Sequence, residues 1–199
     1  MSLSSTESKL VNTNHPIASV PNAVTVIRIL LIPLFVTFLQ SESYLYALLV
    51  FLLAAVSDGL DGFLARYLDQ RTTLGAFLDP LADKLLILTA FVGTTILRRV
   101  SPWLTIIVIS RDLVIFLGAT FFTVTRTRFE AIPSPWGKAT TALQMVTICL
   151  VLLSPLVSIA NEIKTVFFFG TAIITIISGG HYTLVGTKIY RDNLSRSQG

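Results

Sequence analysis

Cysteine is nearly absent from these 199 residues. The single Cys149 excludes an intrachain disulfide framework and any metal site built on several thiolates. Histidine is almost as scarce; His15 in a polar tail and His181 beside Gly179-Gly180 read as incidental. Charge is thin, at 13% of residues, against about 25% in an ordinary soluble domain. With 53% hydrophobic residues and a mean hydropathy of +0.75, too few charges remain to cover a soluble globule. The same composition excludes a disordered chain, a coiled coil and a collagen-like repeat. Period-2 alternation is missing, which argues against a lipid-embedded barrel. No internal repeat, second domain or signal peptide is evident. No P-loop or dinucleotide pattern surrounds Gly179-Gly180, a pair better suited to close helix packing. What remains is an all-α integral membrane protein. Its net charge of +4 then reads as cytoplasmic loop bias, and no nucleic-acid partner is expected.

Six apolar segments can be drawn, at roughly 23–39, 44–66, 80–97, 102–125, 139–160 and 163–187. Each is near the ~20 residues a helix needs to cross ~30 Å of hydrocarbon. Residues 1–20 form a polar tail with a possible interfacial segment, 21–190 the six-helix domain and 191–199 a C-terminal tail. Pro16 and Pro21 are expected to break the chain before the first run, and Pro33 to kink it. Six crossings put both termini on one side. That side holds Lys9, Arg28, Arg66, Arg71, Lys84, Arg126, Arg128, Lys138, Lys188, Arg191 and Arg196, against Arg98, Arg99 and Lys164 on the other. Both termini are therefore expected in the cytoplasm, in an inner or plasma membrane. Trp103 and Trp136 fit interfacial anchors, and the Phe167–Phe169 run fits lipid or core.

The chemistry concentrates where segment two ends and segment three begins. Asp58 and Asp61 are three apart, and Gly62 and Ala65 continue their helix face. Asp79 and Asp83 are four apart and share a face of the next helix. A short connection containing Gly75 would make the two helices antiparallel neighbours, so four carboxylates can converge on a polar, metal-binding cavity at the cytoplasmic side. Crowded like charges would raise one another's pKa values. A hard divalent cation relieves that repulsion, and oxygen-only donors favour Mg²⁺, Mn²⁺ or Ca²⁺. Two ions could serve an in-line displacement at phosphorus. Carboxylates inside a membrane bundle are expensive and usually functional, whereas Asp69 reads as a solvated loop residue.

The pattern Asp58-x₂-Asp61-Gly62-x₂-Ala65-Arg66-x₈-Gly75-x₃-Asp79-x₃-Asp83 resembles, at each named position, the signature of the CDP-alcohol phosphatidyltransferase family. Pro21-Asn22-x₂-Thr25-x₂-Arg28, Ile109-Ser110-Arg111-Asp112 and Gly137-Lys138-x₂-Thr141 resemble further stretches of its bacterial members. The resemblance implies a six-helix membrane fold, a homodimer and a two-metal site using Mg²⁺ or Mn²⁺. It implies transfer of a phosphatidyl group from CDP-diacylglycerol to a small or lipid alcohol, with release of CMP. By position, Asp58, Asp61, Asp79 and Asp83 would hold the metals, and Asp83 would deprotonate the acceptor. Asp61, Gly62, Ala65, Arg66 and Gly75 would border the CDP moiety.

A second cluster is basic. Arg111 lies near the middle of the fourth segment, where an arginine costs at least ~2.5 kcal/mol without a partner or an aqueous cavity. Asp112 points about 100° away on a helix, so the two are expected not to pair, leaving Arg111 to face a polar cavity. Lys138 and Arg28 are the further candidates for an acceptor-phosphate pocket. The opening Pro-Asn-x₂-Thr and the Gly-Lys pair resemble enzymes whose acceptor is sn-glycerol 3-phosphate. Arg111-Asp112 departs from their usual Arg-Glu and looks more like the cardiolipin synthases of the same family, which use phosphatidylglycerol. A membrane prenyltransferase would lack the Gly-x₂-Ala-Arg-x₈-Gly insert, and a cation transporter would often show paired repeats or broken helices.

Overall fold

In a computed structural model of the chain, residues 20–68, 73–124 and 135–197 are described, with side chains for 26–57, 84–118, 120, 135–188 and 191. Among them lie six helices: α1 (Val20–Gln40), α2 (Tyr44–Leu68), α3 (Thr73–Ile96), α4 (Pro102–Val124), α5 (Pro135–Leu153) and α6 (Asn161–Ser197). The all-helical expectation holds, with shifted boundaries. Pro21 does not stop α1 but sits in its first turn, where a missing N–H costs nothing. The third helix starts seven residues earlier than expected, at Thr73 rather than 80; its opening turns, Thr73-Leu74-Gly75-Ala76-Phe77-Leu78-Asp79, precede Pro80 and are helical too. The fifth ends at Leu153, just before Ser154-Pro155, and the sixth runs on to Ser197 through a polar stretch.

Two helix ends are closed without glycine. Glu42 and Arg98 adopt left-handed backbone, at φ 53° and 57°. Beyond α1, Ser43 N–H bonds to Phe38 C=O at 2.9 Å and Glu42 N–H to Leu39 C=O at 3.2 Å. Beyond α3, Arg99 N–H bonds to Thr94 C=O at 2.8 Å and Arg98 N–H to Thr95 C=O at 2.9 Å. Both are Schellman closures that satisfy the last carbonyls. The two turns are tied together, since Arg99 donates to Tyr44 Oη at 3.2 Å and lies over its ring.

Apolar residues occupy both the inside and the outside. Phe35, Phe51, Leu86, Phe91, Leu104 and Ile148 are among the fully buried core residues. Leu30, Ile106, Val166, Ile176 and Leu184 are each about 60–70% exposed. So much exposed aliphatic surface is the dress of a membrane protein. Among the described residues, α5 and the 161–188 part of α6 are long and apolar enough to cross a bilayer. At the α1–α3 crossing, a Cβ on Gly93 would stand 2.6 Å from Leu39 Cδ2. Ala at 93 should be absorbed by a rotation of that flexible side chain. Leu at 93 should cost about 1–3 kcal/mol by overpacking, read as a lower melting temperature in detergent.

A buried polar ladder sets the register of α5 against α6. Thr147 and Thr171 hydroxyls meet at 2.7 Å, Gln144 Nε2 donates to Thr175 Oγ1 at 3.4 Å, and Thr140 Oγ1 reaches Ile174 C=O at 3.4 Å. Each such bond is worth ~0.6 kcal/mol in a membrane, but the series allows one alignment. Continued along the antiparallel pair, that alignment brings Gly137 to Tyr182. On the other side, α4 and α6 run parallel. Trp103 packs on Phe169 at 5.5 Å between ring centres, and Arg111 bonds Ser178 eight residues later. Since Phe169 is eight residues past the start of α6 and Trp103 one past the start of α4, α4 begins about 10 Å deeper than α6.

Candidate active site

The α2 and α3 helices carry the aspartates. Asp58, Asp61, Gly62, Ala65 and Arg66 fall in the last three turns of α2; Gly75, Asp79 and Asp83 fall in the first three turns of α3. The side chains of all eight lie outside the described residues. Gly75 is not in the connection, as expected from sequence, but in the opening turn of α3, because that helix starts at Thr73. The two helices touch and are joined by four residues, so they run antiparallel. The donor set is oxygen-only and suits a hard divalent cation.

The next residue after Asp83 opens a different kind of site. Lys84 on α3, Arg111 on α4, Lys138 on α5 and Tyr182 on α6 line one cavity of about 490 Å³, floored by Ile115, Ala142 and Met145. Three cations face one space. Among the described residues one carboxylate touches them: Asp112 accepts from Lys84 Nζ at 3.2 Å and from Arg111 Nη1 at 2.6 Å. The described lining therefore carries more positive than negative charge, which suits a phosphate.

Arg111 is held from three sides. Nη1 bonds Asp112, Nη2 donates to Ser178 Oγ at 2.9 Å, and the guanidinium lies 5.8 Å from the Tyr182 ring centre. Gly137 makes room for this arrangement. A Cβ there would stand 2.9 Å from Tyr182 Oη and 3.5 Å from Arg111 Nη2. These contacts place the guanidinium level with the first turn of α5, although Arg111 is the tenth residue of α4. The recessed start of α4 accounts for the difference. An arginine that looks mid-membrane by counting reaches the end of the bundle where α5 begins.

The expectation that Arg111 and Asp112 do not pair is wrong. A helical wheel fixes where Cβ points, but the long arginine side chain sweeps back over its own helix and meets the carboxylate. The expectation that Arg111 faces a polar cavity agrees with this geometry. Lys138 lines the same cavity and is exposed. Arg28 is fully buried on α1 and is not among the described residues lining it. Sequence reading missed Lys84, Asp112, Ser178 and Tyr182. Adjacency to Asp83 and the spacing Ser178-x₃-Tyr182 were the available signals. Gly179 packs as expected, its Cβ position 3.4 Å from Arg111 Cγ, whereas Gly180 faces open space. Trp103 and Trp136 are 39% and 45% exposed.

A membrane protein with paired aspartates on two neighbouring helices, and a cationic cavity one residue further along, is equipped to handle phosphate-bearing molecules. The chain belongs to the CDP-alcohol phosphatidyltransferase family, whose model matches residues 18–177, and it is an enzyme of that class. It is 39% identical over 144 residues to a CDP-diacylglycerol–glycerol-3-phosphate 3-phosphatidyltransferase of Pseudomonas fluorescens, covering 69% of this chain and 73% of the relative. A protein of the same name from Aquifex aeolicus is 32% identical over 175 residues, covering 86% and 97%. Human cardiolipin synthase (CMP-forming) is 32% identical over 192 residues, covering 85% of this chain and 62% of the relative.

Proposed function

We propose that this enzyme transfers the phosphatidyl group of CDP-diacylglycerol to sn-glycerol 3-phosphate, giving phosphatidylglycerophosphate and CMP. The observation that carries the acceptor is the cavity of Lys84, Arg111 and Lys138, contiguous in sequence with Asp83. The relatives named for glycerol 3-phosphate support it. In this reading all six helices cross the bilayer with both termini in the cytoplasm, and the chain acts as a homodimer.

Asp58, Asp61, Asp79 and Asp83 would hold the divalent cations, Mg²⁺ or Mn²⁺, which when bound polarise the pyrophosphate and offset charge on the leaving CMP. Asp61, Gly62, Ala65, Arg66 and Gly75 border the CDP moiety, the small residues leaving the helix face open. Arg111 and Lys138 hold the acceptor phosphate and fix its free hydroxyl toward Asp83. Arg28, fully buried on α1, lends positive charge from the first helix. Asp83 takes the hydroxyl proton as the oxygen attacks the phosphorus bearing diacylglycerol, and the bond from that phosphorus to CMP breaks.

The Arg111-Asp112 sequence, which resembles the cardiolipin synthases, and the human relative favour a second reading, cardiolipin synthesis from phosphatidylglycerol. One assay separates them. Purified enzyme with Mn²⁺ or Mg²⁺ and CDP-diacylglycerol should release CMP with glycerol 3-phosphate and not with phosphatidylglycerol, and chelation should stop it. The reverse acceptor pattern would establish the second reading. No CMP with any alcohol would refute both.

A further inference from the structure

Thr171, Thr175, Ser178 and Tyr182 follow one another on α6 at intervals of four, three and four residues, so they form a single stripe along its length. Thr171, Thr175 and Ser178 are buried. The first two spend their hydroxyls on α5: Thr171 meets Thr147, and Thr175 accepts from the Gln144 amide. The last two turn to α4. Ser178 Oγ accepts from Arg111 Nη2 at 2.9 Å, and the Tyr182 ring lies against the guanidinium. The ladder that aligns α6 with α5 thus also delivers Ser178 to Arg111. A slip of one turn would carry the hydroxyl about 5.4 Å away.

Ser178 differs in charge from the other anchor of Arg111. Asp112 holds Nη1 but sets a negative charge in competition with an arriving anion. Ser178 holds Nη2 with a neutral oxygen, which orients the guanidinium and leaves its charge intact. One anchor fixes a point, about which the planar group can still turn. Two anchors, one on each terminal nitrogen, fix the plane. The Tyr182 ring, 5.8 Å from the guanidinium carbon, bounds the arginine on a third side. Each Nη bears two N–H groups, so each keeps one beyond its anchor. Nη2 stands 3.5 Å from where a Cβ of Gly137 would be, and Gly137 and Arg111 both line the basic cavity.

We propose that Ser178 is a positioning residue of the basic cavity, turning the Arg111 fork so that its remaining Nη hydrogens meet the acceptor's phosphate. Being fully buried, it acts through Arg111 and not on substrate itself. The inference deepens the acceptor reading given above and rests on it. Paired hydrogen bonds to phosphate oxygens demand a fork of fixed direction, whereas a point cation demands only nearness. Loss of the neutral anchor therefore weakens phosphate binding although no charge is lost.

Calorimetric titration of the full chain in detergent with sn-glycerol 3-phosphate, beside the kinetics of CMP release, tests this. Ser178→Ala should weaken binding and raise the acceptor KM by about five- to tenfold, less than loss of the arginine itself because the charge remains. At saturating acceptor, kcat, the KM for CDP-diacylglycerol and metal activation should stay within about twofold of the parent. The effect should vanish without its target: in an Arg111→Ala background, Ser178→Ala should change acceptor KM by less than about twofold. Arg111→Lys should blunt it likewise, since an ammonium has no plane to set. Should Ser178→Ala lose its melting transition, Ser178→Cys carries the same test, keeping the volume with a weaker acceptor. A hydroxyl that serves packing alone would lower the melting temperature and leave phosphate affinity at the parental value, which would overturn the proposal. So would an equal effect of Ser178→Ala with and without Arg111. Parental binding in Ser178→Ala, with binding lost in Arg111→Ala, would keep the acceptor reading and remove the positioning role. No binding by the parent, or parental binding by Arg111→Ala, would remove the acceptor reading and this inference with it.

Discussion

Asp83→Asn should lower CMP release by about 10²–10⁴-fold, the range lost when a positioned general base is removed. Asn is nearly isosteric, so the bundle should form, and detergent elution volume and melting temperature should match the parent. The loss should persist at saturating acceptor, because the missing function is proton removal and not binding. If Asp83 also holds a cation, the metal concentration for half-maximal activity should rise. Asp69→Asn, three residues after Arg66 in the connecting stretch, should leave activity as it is. Activity of Asp83→Asn within tenfold of the parent at saturating metal would remove this residue from the chemistry.

The second large effect is at Arg111. Charge-assisted hydrogen bonds are worth about 1.5–3 kcal/mol, so Arg111→Ala should raise the acceptor KM by about ten- to 150-fold. Metal activation should not move. Arg111→Lys should recover only part of the loss, because one ammonium cannot reproduce the planar fork that reaches Asp112 and Ser178 together. A purely structural arginine would instead lower the melting temperature and leave acceptor KM alone. That pattern would return the basic cavity to a packing role.

The two halves of the site were legible to different degrees. The aspartates announce themselves because i+3 and i+4 spacing in an apolar helix is a local signal, and charge in such a place is expensive. Helix ends were misjudged where composition and backbone part company. The helix α3 begins before Pro80, at Thr73, and α6 continues past its apolar stretch. The basic cavity was only half visible. Arg111 and Lys138 stood out as cations in or beside apolar runs, but Lys84 looked like a flanking charge. Ser178 and Tyr182 meet Arg111 only through the α5–α6 and α4–α6 registers, which are set by contacts between residues about 30 to 70 positions apart. The Arg111-Asp112 pair was missed because wheel geometry ignores side-chain length.

If the cavity takes the acceptor phosphate as proposed, Asp112 would make it selective in a way its cations alone would not. A carboxylate already sits on Arg111 Nη1 at 2.6 Å, so an anion arriving at that nitrogen has to unseat an incumbent. A phosphomonoester with a second pKa near ~6 arrives close to doubly charged at neutral pH and out-competes a single carboxylate. A phosphodiester, with one charge, meets its equal. The built-in rival thus turns the number of charges on the visitor into a threshold for admission, and Asp112→Asn should lower that threshold for singly charged headgroups.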